Sequence, residues 1–138
     1  MKKLALISLS VLTLAACSEK DQYHQTIVDL VSNDEDVRSY HIDPAVMADC
    51  IVDLSSKKMP GTLPFEPRRA DAYKGYTKMI SLKISEKPAE VLSELRESFG
   101  SAKGLAAAHM NYSESYLECM STLTNRALDD KEEQEESK

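Results

Sequence analysis

Apolar residues recur at helical spacing in five separate stretches of this chain, and nowhere do they alternate with period two over a useful length. Tyr23, Ile27, Leu30 and Val31 share one helical face, and the polar run Ser32 to Asp36 ends or turns that helix. Asp43-Pro44 is a helix start, because Asp caps free N–H groups and Pro suits the first helical position. Val46, Met47, Cys50, Ile51 and Leu54 follow as one stripe, with Cys50 facing inward. Pro60, Gly61, Pro64 and Pro67 break regular structure between Lys57 and Pro67. A third helix then runs from about Pro67 to Ile84 with Tyr73, Tyr76, Ile80 and Ile84 on one side, although Gly75 interrupts it. Lys87-Pro88 opens a fourth, carrying Val91, Leu92, Leu95 and Phe99 and stopped by Gly100. Ser101 caps the last, whose apolar set is Leu105, Ala108, Tyr112, Tyr116, Cys119, Met120 and Leu123. The expected fold is a small all-α bundle of four to five helices.

The first residues carry a different signal. Lys2 and Lys3 precede an apolar stretch, Leu4 to Ala16, whose 13 residues are too few to cross roughly 30 Å of hydrocarbon. It ends in Leu14-Ala15-Ala16-Cys17, which resembles the lipobox of bacterial lipoproteins. The resemblance implies cleavage of residues 1–16, a diacylglyceryl thioether on Cys17, and acylation of the new amino group. Several acyl chains anchor a protein stably where one would not. Ser18 stands where the family's inner-membrane retention signal usually carries Asp, which implies an outer-membrane address facing the periplasm. Residues 17–21 would then be a lipidated tether and 22–128 the helical domain.

With Cys17 taken by lipid, Cys50 and Cys119 remain in an oxidising compartment, and two cysteines allow one pairing. A Cys50–Cys119 disulfide would staple the second helical stretch to the last. Residues 129–138 hold six acids, two lysines and no apolar residue, so a disordered acidic tail is expected there.

Chemistry is harder to find. Residues 1–16 contain two lysines and no acid, so their removal takes the formal charge from −6 to −8. An acidic chain without a long basic run is not a nucleic-acid binder. His24, His41 and His109 lack metal-ligand spacing, and His109-Met110 place adjacent side chains in different directions. Met47, Met79 and Met120 read as core fillers. Gly100-Ser101-Ala102-Lys103-Gly104 matches neither a nucleophile elbow nor a phosphate loop. Asp49 and Asp53 share a helix face, a spacing commonest among solvated acids. No catalytic constellation, cofactor or metal site is expected.

Surfaces remain. Lys57, Lys58, Arg68 and Arg69 bracket the proline-broken segment around Leu63 and Phe65, a candidate partner-binding loop in an otherwise acidic protein. The plainer reading is a connecting loop whose apolar residues pack and whose charges keep it soluble. Tyr73/Tyr76 and Tyr112/Tyr116 each share a face, which suits core packing with hydroxyls at the rim. An exposed aromatic groove would instead bind protein or glycan.

Two functional readings lead, and an enzyme or metal carrier stays open as a third because an all-α site can be assembled from distant residues. One is a non-enzymatic, lipid-anchored helper that binds an envelope protein. The other is an inhibitor or immunity protein neutralising a basic periplasmic hydrolase, for which the negative charge would speed encounter. Asp49-Cys50 in an early helix, the tyrosine-bearing middle helices and Tyr116-Leu117-Glu118-Cys119-Met120 in the last resemble the helical immunity proteins of type VI secretion amidases. That resemblance covers scattered positions between residues 49 and 128 and carries no binding residues over.

Overall fold

The computed structural model describes residues 7–63 and 66–136, with side chains from Ser18 to Asp129 apart from Lys83. Six α-helices follow in order: α1 (Ile7–Val31), α2 (Glu35–Ser39), α3 (Pro44–Lys57), α4 (Pro67–Ile80), α5 (Pro88–Ser98) and α6 (Ala102–Glu136). A 3₁₀ turn, Leu82–Ile84, joins α4 to α5, and no strand occurs among the described residues. The fold is thus the all-α bundle expected, with one helix more. None of the described helices is long and apolar enough to cross a membrane.

Prolines open three of the helices. Pro44, Pro67 and Pro88 each occupy the first turn, where a missing N–H costs nothing. Asp43 caps α3 by accepting the Ala45 N–H at 2.8 Å. Glu66, in front of α4, instead accepts the Thr62 N–H at 2.9 Å and braces the loop behind it. Gly100 takes φ +75° as α5 ends, and Ser101 Oγ accepts the Gly104 N–H at 3.0 Å as α6 begins. Gly75, the residue that interrupts the α4 pattern, lies under the Phe99 ring: a Cβ there would stand 3.0 Å from Phe99 Cζ. The missing side chain is what lets the end of α5 close on α4.

The additional helix is α2. Asp34, within the polar run that ends α1, accepts the Asp36 and Val37 N–H groups and so starts a new turn. It ends in a Schellman arrangement: Ile42 N–H reaches Val37 O at 3.0 Å, His41 N–H reaches Arg38 O at 3.1 Å, and Val37 and Ile42 are both buried. His41 supplies the left-handed residue at φ 56°, a conformation that glycine adopts without cost. We expect His41→Gly to raise the unfolding free energy by about 0.5–1 kcal/mol, measured by urea denaturation. A loss would mean that the His41 Nδ1 contact to Ser39 O, at 3.1 Å, outweighs the backbone strain.

Two apolar positions depart from the expected stripes. Ile84 is 78% exposed, because α4 stops at Ile80 and the 3₁₀ turn shifts the angular period. Thr77 and Ser81 hydroxyls bond back to carbonyls four residues earlier at that helix end. Val46 is also exposed, while Met47, Ala48, Ile51 and Val52 carry the buried face of α3.

The core lies where α1 packs on α3 and α4, with α6 against α3 and α5 bridging α4 and α6. Tyr23, Ile27, Met47, Ile51 and Leu95 are its largest fully buried side chains, and Met79 and Met120 fill against it. Cys50 and Cys119 form a disulfide with Cα atoms 5.9 Å apart. Residues 18–21, expected as a tether, are helical within α1, and Glu19 reaches Lys74 of α4 at 3.6 Å. The backbone of the acidic tail continues α6 to Glu136, but after Leu123 no described residue joins the core.

Candidate functional site

Polar residues on two apolar stripes build the interior of the bundle. On α6, Ala108, Asn111, Ser115 and Cys119 lie on one buried face, and on α3 Ser55 sits in line with Ile51 and Val52. Tyr23 and Ser55 share a hydroxyl hydrogen bond of 3.1 Å. Asn111 Nδ2 donates to Ser55 O at 2.9 Å and to Tyr76 Oη at 2.8 Å. Ser115 Oγ donates to Asn111 O at 2.8 Å. Tyr23 packs against Tyr73 and Tyr76, and Tyr76 meets Phe99 edge-on, all with centroids 5.8 Å apart.

One atom of this network has no partner. Asn111 Oδ1 is buried and accepts nothing. Its orientation is fixed, because the Ser55 carbonyl can only accept and must therefore face Nδ2. An unsatisfied buried acceptor costs about 1–3 kcal/mol. Tyr76 is constrained in turn: its oxygen accepts from Asn111, which leaves the phenolic hydrogen unspent. Burial, only partly offset by the Asn111 hydrogen bond, pushes the Tyr76 phenol up, so it keeps that proton at neutral pH.

Asn111 and Tyr76 line a groove of about 370 Å³. Phe99, Gly104, Ala107, Ala108 and Met110 form most of its walls, with Pro60, Lys58 and Glu114 completing them. Gly104 has no room for a side chain, since a Cβ would lie 2.1 Å from the Phe99 carbonyl oxygen. Lys58 and Glu114 pair at 2.7 Å and are both exposed, joining the end of α3 to α6 across the groove. Glu114 is accordingly the first cause holding the Lys58 ammonium above its ordinary range.

The basic residues read from the sequence meet different fates. Lys57 turns back to Asp53 at 2.7 Å, and Arg69 Nη1 donates to Ser56 O. Lys58 reaches the groove, and Arg68 is exposed at the start of α4. Leu63 is exposed, and Phe65 lies outside the described residues. The described side chains of this set therefore do not converge on one surface: among them, only Lys58 lines the groove.

Other sequence candidates resolve in the same way. Asp53 is taken by Lys57, whereas Asp49 Oδ1 lies 3.0 Å from His24 Nε2, near enough for ion pairing but poorly aligned for a hydrogen bond. His109 and Met110 are exposed on α6. Among the described residues no three His, Cys, Asp or Glu side chains gather closely enough to hold a metal ion. Tyr73 and Tyr76 are not rim tyrosines: their hydroxyls bond inside, to Ser56 and Asn111. Tyr116 does reach the rim, donating to Asp34 Oδ2 at 2.7 Å.

That last contact is pH-sensitive. Partial burial works to raise the Asp34 carboxyl, but hydrogen bonds from Tyr116 and the Val37 and Asp36 N–H groups outweigh it and hold the carboxyl below its ordinary value. Tyr116 is pushed up, first by burial and then by the Asp34 carboxylate. A carboxylate lowered on folding contributes stability above its unfolded value, and that contribution is lost as pH falls through the folded one. Asp34→Ala is expected to cost about 1–2 kcal/mol near neutrality by removing an N-cap. The gap to wild type should begin to narrow at about pH 4, the ordinary carboxylate range, and go on narrowing as pH falls through the lower value that Asp34 has in the fold. A gap independent of pH in parallel denaturation series would show that its charge contributes nothing.

Sequence reasoning missed Asn111 and Ser55. The signal was partial: Ser55 follows the apolar Ile51 and Val52 on their face, and Asn111 and Ser115 fall at helical spacing between Ala108 and Cys119. No family model, curated protein or solved structure matches the chain.

Proposed function

We propose that this chain is a non-enzymatic lipoprotein, anchored through Cys17 to the outer membrane and facing the periplasm, that binds an envelope protein. The observation that carries this reading is the Cys50–Cys119 disulfide. It consumes the two cysteines of the bundle, suits an oxidising compartment, and leaves Cys17, at the end of the lipobox-like segment, outside the pair. The helical course of residues 18–21 further supports it. At 1.5 Å per residue, Cys17 sits about 9 Å along α1 from the buried Tyr23, so the bundle rides close to its anchor. The groove between α4, α5 and α6 supplies a surface on which a partner can dock.

The test is photo-crosslinking in whole cells, with a photoreactive residue in place of Met110, which lines the groove and is 60% exposed. One abundant envelope protein captured at this position, and not at Arg126 on the same helix, supports the helper reading. Capture of a basic hydrolase would replace it with the inhibitor reading. Capture of nothing beyond what a control lipoprotein yields would overturn binding at this surface.

A further inference from the structure

One side of α6, centred on Ala108, Ser115 and Cys119, is buried in the bundle. At about 3.6 residues per turn, the line directly opposite runs through Ala106, Met110, Ser113, Leu117, Ser121, Thr124 and Leu128. Each of these is exposed or half-exposed, and Leu117 and Leu128 keep 65% and 46% of their surface in solvent. No acid or base falls on this line between its ends, although charged residues make up 29% of the chain. The outer face of a solvated helix ordinarily carries such charges. Here they are displaced to the flank, where Glu114 is already paired with Lys58 of α3 at 2.7 Å. Helix α6 also outruns its bundle: no described residue after Leu123 joins the core, yet the helix continues to Glu136.

The spacing of this line is the same from either end, with steps of four, three and four residues on each side of Leu117. A two-fold axis sets one patch against itself, and a line with that symmetry matches its own reverse at every position. We infer that this face of α6 is the contact between two copies of the chain, running antiparallel about Leu117. In that register Leu117 meets Leu117 of the second copy, Ser113 meets Ser121, Met110 meets Thr124, and Ala106 meets Leu128. Outside the centre each bulky side chain stands opposite a smaller one, so the helices approach evenly. Set parallel, the same line would match large with large and small with small, leaving gaps at Ser113 and Ser121. It would also lay the six acids of residues 129–138 beside their own copies. Antiparallel copies hold those runs about 36 Å or more apart, several times the roughly 8 Å over which salt screens charge. A helix pair about 33 Å long lies at the small end of specific interfaces, which bury about 1,200–2,000 Å², so the pair is weak in dilute solution. The inference goes beyond the proposed binding role and does not rest on it. Because Met110 belongs to both surfaces, a photoreactive residue there would also capture a second copy, told from an envelope protein by its mass.

The experiment uses full-length chains carrying Ser113→Cys or Ser121→Cys, expressed singly or together, oxidised in whole cells and read on non-reducing gels. Cys50 and Cys119 are already bonded to each other, and wild type sets the baseline for Cys17. In the antiparallel pair, position 113 lies opposite 121 of the second copy but about 12 Å along the axis from 113, out of disulfide reach. The two variants expressed together should therefore give a disulfide-linked dimer at least about tenfold above either variant alone. Adding Leu117→Glu to both chains sets two carboxylates at the contact and should reduce that dimer by about tenfold. The melting temperature should stay within a few degrees, because residue 117 is exposed. A dimer from Ser113→Cys alone as abundant as from the mixture would make the copies parallel and overturn the inference. It is overturned equally by no dimer above wild type from the mixture, by linkage to a different protein, or by a dimer that Leu117→Glu leaves unchanged.

Discussion

Replacing Cys50 and Cys119 together by alanine should lower the unfolding free energy by about 4 kcal/mol. The two cysteines are 69 residues apart, and a bridge across so long a segment restricts the unfolded chain strongly. The folded state adds a smaller term, since Cys119 is fully buried and Cys50 partly so. Helices α3 and α6 already meet without the bond, through Asn111 on Ser55 and Lys58 on Glu114. The variant should therefore fold, with a melting temperature lower by roughly 15 °C. Thermal melts of wild type with and without reductant should bracket the variant. A fall of only a few degrees would mean that the unfolded ensemble is compact enough for the cross-link to restrict it little.

Changing the anchor proposed at Cys17 should alter location and leave the bundle intact. If the segment through Cys17 is exchanged for a secretory signal with an ordinary cleavage site, the protein is expected to leave the membrane pellet for the soluble periplasmic fraction almost completely. Each buried methylene contributes about 0.8 kcal/mol to membrane attachment, and several acyl chains together make it stable. The same protein should incorporate no labelled palmitate. Its melting temperature should stay within a few degrees of wild type, because among the described side chains of α1, which begin at Ser18, the first fully buried one is Tyr23. Glu19 is retained, and any loosening of its contact with Lys74 at the new N-terminus would account for a small decrease, as the Lys74 end is more than half exposed. A protein that stayed in the pellet after this exchange would show that something other than Cys17 holds it there.

The elements legible in the sequence are those fixed by local chemistry. Pro44, Pro67 and Pro88 mark helix starts because a proline nitrogen has no hydrogen to lose, and that holds whatever packs nearby. Gly100 and Ser101 mark the α5–α6 junction for equally local reasons. Helix α2 escaped notice because five residues with one buried valine leave almost no periodic trace, and its cap, Asp34, lay within a polar run read only as a helix end or turn. Ile84 was placed on the wrong side because one 3₁₀ turn is enough to shift every later position, and spacing alone does not reveal the turn.

The candidate site was much less legible. Lys57, Lys58, Arg68 and Arg69 are adjacent in sequence yet reach Asp53, Glu114, solvent and Ser56 separately. The groove is made instead by residues that sequence keeps far apart: Lys58, Tyr76, Phe99 and Asn111. The sequence by itself determined that this chain is helical and where most of its helices begin, since capping and period are local properties, whereas the Cys50–Cys119 pair could be read only with Cys17 set aside through the lipobox resemblance. Only the tertiary structure decided that Asn111 is buried with its oxygen unpartnered and that Tyr76 has a proton to give beside it. Hydrogen-bond satisfaction depends on what α3 and α4 bring to α6, and no property of residue 111 alone contains that information.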